Sequence, residues 1–158
     1  MRIVTITAIG LALAMAVPAQ AIEAVNYQGA AETLSQYKLA MEKRDLAGVE
    51  ALFAPDAQIF ETGGIEGNFA HYRDHHLGPE LKEFKSFIFR NYKISIRGEG
   101  DVAVATETYS FSIGLANGET IERDGVATSV LKWMNGKWQI INLHSSSRKP
   151  KVRPAGGA

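Results

Sequence analysis

Two groups of residues in this sequence have the types and spacing to do chemistry. Glu107 and Tyr109 stand two apart in a run that alternates in polarity, so in a strand both side chains point the same way. A carboxylate held in an apolar pocket has its pKa raised and can act as a general base near neutral pH. A tyrosine hydroxyl beside it can donate to a developing enolate oxygen. The same pair has a structural reading, in which Glu107 forms a cross-strand ion pair with Arg123 and Tyr109 belongs to the core. The second group is His71 and His75, four apart and therefore on one helical face at a spacing that can share a metal. Only Glu61 or His144 offers itself as a third ligand, and His75 and His76 near a helix end are favoured by the helix dipole without any ion. The expectation is no metal and no cofactor, with His71 as a polar group of a pocket.

Other motifs exclude chemistries. Ser145-Ser146-Ser147 has no Gly-x-Ser-x-Gly elbow around it. Gly63-Gly64-Ile65-Glu66-Gly67 lacks the Lys and Ser/Thr of a phosphate loop and reads as a turn feeding a helix. Without cysteine there is no disulfide, thiol nucleophile or Cys-based metal site. Lys plus Arg number 17 and Asp plus Glu 17, so no net field favours nucleic acid or an anionic membrane.

The elements that must position these residues are legible from hydrophobic periodicity. Four alternating runs, Ser86 to Arg97, Val102 to Leu115, Thr120 to Trp133 and Lys137 to Ser147, are separated by Gly98-Glu99-Gly100-Asp101, Asn117-Gly118 and Asn135-Gly136. Asn-Gly between such runs signals hairpins, because both residues tolerate positive φ. The result is a four-stranded antiparallel meander. A turn with a bulge keeps parity across the hairpins and puts the large apolar odd positions, with Glu107, Tyr109, Arg123, Ser129 and Ser145, on one face. In this reading Trp138 lies on the opposite, even face beside Val130 and Ile140, where it would form a dimer patch.

Upstream, Ala30, Leu34, Tyr37 and Met41 form one helical stripe. Asp45 caps a second helix, Leu46 to Phe53, stopped by Pro55-Asp56. Ala57 to Thr62 is a short strand, and a third helix runs from Asn68 to Gly78-Pro79. Three helices on a concave sheet enclose a pocket bounded by Tyr37, His71, Glu107, Tyr109, Arg123, Ser129 and Ser145. At the start, Arg2, the apolar stretch Ile3 to Val17 and Ala19-Gln20-Ala21 form a secretory signal peptide over residues 1–21, which places the protein in the periplasm or outside the cell. Residues 22–147 form one domain, and 148–158, with four cations among prolines and glycines, form a disordered basic tail. No later run is long and apolar enough to span a bilayer.

The order of helices, short strand and long meander resembles the NTF2-like superfamily of cone-shaped α+β domains over nearly the whole chain after the signal. Leu46-Ala47-Gly48-Val49-Glu50-Ala51-Leu52-Phe53-Ala54-Pro55-Asp56-Ala57 is similar to its second helix and first strand. Gly136-Lys137-Trp138-Gln139-Ile140-Ile141-Asn142-Leu143-His144-Ser145-Ser146 is similar to its last strand in the SnoaL-like and DUF4440-like branches and in the association domain of calmodulin-dependent kinases. The resemblance implies a pocket and a homodimer. It implies no single activity, since such folds include isomerases, dehydratases, carriers and oligomerising hubs. Matched onto the association domain, His71 falls on a pocket histidine, while the pocket arginines fall on Tyr109, Ser129 and Ser145, none of them Arg. The leading expectation is binding of a small, partly apolar organic molecule. The alternatives are an isomerase- or dehydratase-type enzyme with Glu107 as base and Tyr109 or His71 as electrophile, and an oligomeric scaffold.

Overall fold

The computed structural model describes residues 27–151; the stretch 1–21 read as a signal peptide and the end of the expected tail, 152–158, lie outside the described residues. Helix α1 (Gln28–Lys43) buries Ala30, Leu34 and Met41, as the stripe requires. It stops where Arg44 adopts a left-handed conformation and donates its N–H to the carbonyls of Ala40 and Met41. The second expected helix is only one 3₁₀ turn (Val49–Leu52), because the Asp45 carboxylate accepts the N–H of Ala47, two residues on, and so closes a turn at the point where a cap was expected. Strand β1 (Phe53–Glu61) then begins four residues earlier than expected and includes Pro55. Thr62 and Gly63, both at positive φ, turn the chain into a short strand, β2 (Gly64–Gly67), where the sequence reads as a loop.

Asn68 caps the next helix by accepting the N–H of His71. That helix passes without a break through α2 (Phe69–Tyr72), a π-helical turn (Arg73–Leu77) and α3 (Gly78–Glu83). Gly78-Pro79 therefore does not end it. Pro79 has no N–H and its ring crowds the carbonyl four residues back, so the helix widens instead, and Gly78 donates to Arg73, five residues back. Two helices, not three, cover the sheet.

The sheet continues with β3 (Phe84–Glu99), β4 (Val102–Leu115), β5 (Thr120–Met134) and β6 (Lys137–Arg148), close to the expected runs. Strand order is β2-β1-β6-β5-β4-β3. The sheet is not wholly antiparallel, since β1 runs parallel to β6. Arg148, expected in the tail, pairs with Asp124 as the last residue of β6.

Parity is kept between β4 and β5, where Ala105 opposes Ser129 and Glu107 opposes Ala127. Between β5 and β6 the turn itself is tight, with Asn135 and Gly136 both at positive φ and Trp133 opposite Trp138. The extra residue is Ile141, inside β6, so Leu131 faces Ile140 while Ser129 faces Leu143. Trp138 is consequently buried, 3% exposed, and packs on Tyr27 and Trp133; the exposed tryptophan is Trp133. A second bulge at Asn91 and Tyr92, with Asn91 at positive φ, shifts parity in β3 and turns Tyr92 to the inner face after Phe87 and Phe89.

The core fills one end of the concave face completely. There Tyr27 packs on Trp138, and Ala30 and Leu34 are buried in the same core as Leu131, Ala103 and Ile140. Towards the other end, α1 and the helix of residues 69–83 stand over the aromatic rows of β3 and β4 and leave a space.

Candidate functional site

That space is a cavity of about 350 Å³ lined from α1 by Tyr37, Lys38 and Met41, from β1 by Glu61, from the second helix by Tyr72, Leu77 and Glu80, and from the sheet mainly by rings. Phe87 stacks on Phe111 at 5.2 Å, Tyr92 on Tyr109 at 5.8 Å, and Phe89 meets Tyr109 edge-on at 5.0 Å. Gly125, opposite Tyr109 on β5, makes the ring's position possible, because a Cβ there would overlap it.

Glu107 is the chemical centre of this wall. It is 6% exposed. Its Oε2 accepts from the Tyr92 hydroxyl and its Oε1 from Ser129 Oγ at 3.2 Å. Burial pushes its pKa above the ordinary 4.5, against the two hydrogen bonds, which pull it down. Arg123 does not pair with it: on β5 Arg123 stands opposite Phe111, and its Nη1 donates to the Glu122 carbonyl at 3.0 Å. Among the described residues, none of the ion pairs includes Glu107. The Tyr109 hydroxyl has no hydrogen-bond partner among the described residues, and burial, then the Glu107 charge, raises its pKa.

A second carboxyl and tyrosine pair faces the first. Tyr72 donates its hydroxyl to Glu61 Oε2, and Glu61 stands beside Ser145 in the β1–β6 pairing. Tyr37 and Tyr72 are both raised, chiefly by burial. Near the rim, Glu80 is raised by burial and opposed by His76. Lys38 pairs with Glu42 at 2.7 Å, and its ammonium lies 5.5 Å from the ring centres of both Phe89 and Tyr92.

Of the residues expected to meet here, Tyr37, Glu107, Tyr109, Arg123 and Ser145 line the cavity. Ser129 is fully buried behind Glu107 and reaches the cavity only through it. His71 is not part of the lining: it is exposed on the far side of its helix, donating Nδ1–H to the Glu66 carbonyl at 2.9 Å. Its ring stands 4.5 Å from that of His75, and no group of three or more potential metal ligands occurs among the described residues. The helix histidine that bonds to carboxylates is His76, between Glu66 at 2.9 Å and Glu80 at 3.4 Å.

Sequence reasoning missed Tyr92, Tyr72 and the aromatic rows of β3. A signal for Tyr92 exists: inner-face residues run Phe87, Phe89 and then Tyr92, Ile94, Ile96, and this change of parity around Asn91 marks a bulge. Nothing comparable marks Tyr72, whose partner Glu61 lies on a different element.

The SnoaL-like domain family matches residues 30–149. The chain belongs to this SnoaL-like family. A search of the curated proteins finds no match. Among solved structures, this SnoaL-like chain is similar to an NTF2-like superfamily protein from Salmonella enterica serovar Typhimurium, with a TM-score of 0.69, 22% identity, and 83% of this chain and 96% of that one covered. It is also similar to a candidate ketosteroid isomerase from Shewanella frigidimarina, with 0.66, 26%, 75% and 94% in the same order. A third is a candidate calcium/calmodulin-dependent protein kinase II association domain from Xanthomonas campestris, with 0.63, 23%, 87% and 95%. The NTF2-like fold is thereby shown, and among the described residues no helix is long and apolar enough to cross a membrane.

Proposed function

We propose that this SnoaL-like protein binds a small, partly apolar organic molecule between helices and sheet. The observation that carries this is the aromatic-walled cavity of about 350 Å³ with a few convergent polar groups. Rings provide apolar contact, and the unpartnered Tyr109 hydroxyl provides a directional donor. A bicyclic probe, 2-naphthylmethanol, tests it: the probe should raise the melting temperature of the parent chain. Ala127→Phe, which puts a ring beside Glu107 from the neighbouring strand, should fold and lose that response. An equal response in both chains would place the probe elsewhere and sink the proposal.

A second reading is favoured by Glu107 itself, a buried carboxyl without a cation beside a free tyrosine hydroxyl. As carboxylate it takes a proton from carbon next to a carbonyl, Tyr109 stabilises the enolate oxygen, and Glu107 returns the proton to carbon. Deuterium uptake by 1-tetralone from heavy water checks this. The parent should exceed Glu107→Gln by roughly a hundredfold, and equal rates would remove the reading.

We further propose a homodimer through the outer sheet face, where Val104 and Val126 are 44% and 51% exposed. Light scattering should give twice the chain mass, and Val126→Lys should halve it. Export with cleavage after Ala21 is supported by the order of charged start, apolar stretch and small residues, and the intact mass of protein from the periplasmic fraction tests it.

A further inference from the structure

We infer that the cavity selects an organic cation, an ammonium group carried on a flat apolar body; this rests on the binding reading above. The walls carry three carboxyl groups, those of Glu61, Glu80 and Glu107, against two basic side chains, Lys38 and Arg123. Neither base is paired with Glu107, and among the acids Glu80 is the one opposed by a cation, His76. Lys38 is paired with Glu42, and Arg123 donates to the carbonyl of its own neighbour Glu122. Tyr92 and Ser129 supply hydrogen bonds to Glu107, but no full positive charge reaches it among the described residues.

The ring faces point the same way. The Lys38 ammonium, 5.5 Å from the centres of both Phe89 and Tyr92, shows that this wall already holds a cation against π surfaces. A ligand ammonium set deeper along the same wall meets Tyr92, Tyr109 and the Glu107 carboxylate together. Inside a low-dielectric cavity such a pair is much stronger than in water. A carboxylate ligand meets the opposite field and must be desolvated next to like charges. A neutral ligand gains the ring contact without the ion pair.

Burial raises the Glu107 pKa above 4.5, and an arriving ammonium favours the ionised form instead. At any pH where the free carboxyl keeps its proton, binding of the cation is therefore coupled to proton release, a coupling that neither a neutral nor an anionic ligand produces.

Three probes of one shape separate the cases: 2-naphthylmethylamine, 2-naphthylmethanol and 2-naphthoate, each titrated calorimetrically into the full chain at about pH 7, where the amine is protonated. The amine should bind about tenfold more tightly than the alcohol, and naphthoate most weakly. In Glu107→Gln the ratio of amine to alcohol affinity should fall to about one. Should that variant not fold, amine binding to the parent at about pH 5, measured in buffers of different ionisation heat, reads the released proton directly. An alcohol that binds as well as the amine, or naphthoate binding tightest, overturns the cation inference and leaves the cavity reading standing. Failure of all three probes to bind overturns both.

Discussion

Glu107→Gln makes a quantitative test of the buried carboxyl. Gln has nearly the same size and can still accept from Ser129, but it does not titrate. Because burial raises the folded-state pKa of Glu107 above 4.5, the folded chain holds this proton more tightly than the unfolded chain. Below pH 4.5 both states of the parent are protonated, and the two chains should differ only by the altered bond to Tyr92, about 1 kcal/mol. Above 4.5 the unfolded parent ionises first. The parent then loses about 1.4 kcal/mol relative to the variant for each pH unit, until the folded carboxyl ionises too and the gap becomes constant. Urea unfolding followed by tryptophan fluorescence, repeated from about pH 4 to 8, should show the variant gaining on the parent as pH rises. A gap that ignores pH, or one that closes as pH rises, would refute a buried, uncompensated carboxyl at this position.

Ser129→Ala removes a donor that is buried with Glu107, so it should cost about 1–3 kcal/mol in urea unfolding and, tested against its own Glu107→Gln partner, extend the rise of the gap to higher pH while the onset stays at 4.5. Gly125→Ala brings a methyl into the Tyr109 ring and should destabilise by about 1–3 kcal/mol, with the near-ultraviolet tyrosine signal changed; an unaltered signal would mean the ring is not seated there. The Glu66 hydrogen bond, with help from Glu80, raises the His76 pKa above 6.5, so the stabilisation from this contact is complete below 6.5 and is lost as pH rises through the folded value. In Glu66→Gln the His76 ring resonance should titrate at lower pH than in the parent, and an unchanged midpoint would contradict the contact.

Much of this protein is local, and local features are readable from sequence. The meander follows from period-two alternation, and α1 from the Ala30, Leu34, Tyr37, Met41 stripe. The inner direction of Glu107 and Tyr109 follows from their even spacing with parity kept across β4 and β5. Composition excludes thiol chemistry because there is no cysteine to perform it. Misreadings arise where a bulge or a bond distant in sequence overrides the local rule. Trp138 reads as exposed on parity, yet the extra residue at Ile141 turns it inward, and a one-residue shift reverses every side chain on that side of the bulge. Pro79 reads as a helix end, yet a π turn absorbs the missing N–H and carries the helix over the cavity. His71 has the residue type for a pocket, but its helix is rotated so that Tyr72 faces Glu61 instead. Residue type and period determine which elements form and which residues share a face within one element. Which faces meet, and so which acid receives a tyrosine and which is left without a cation, depends on bulges and helix rotation that are selected by burying the whole core at once.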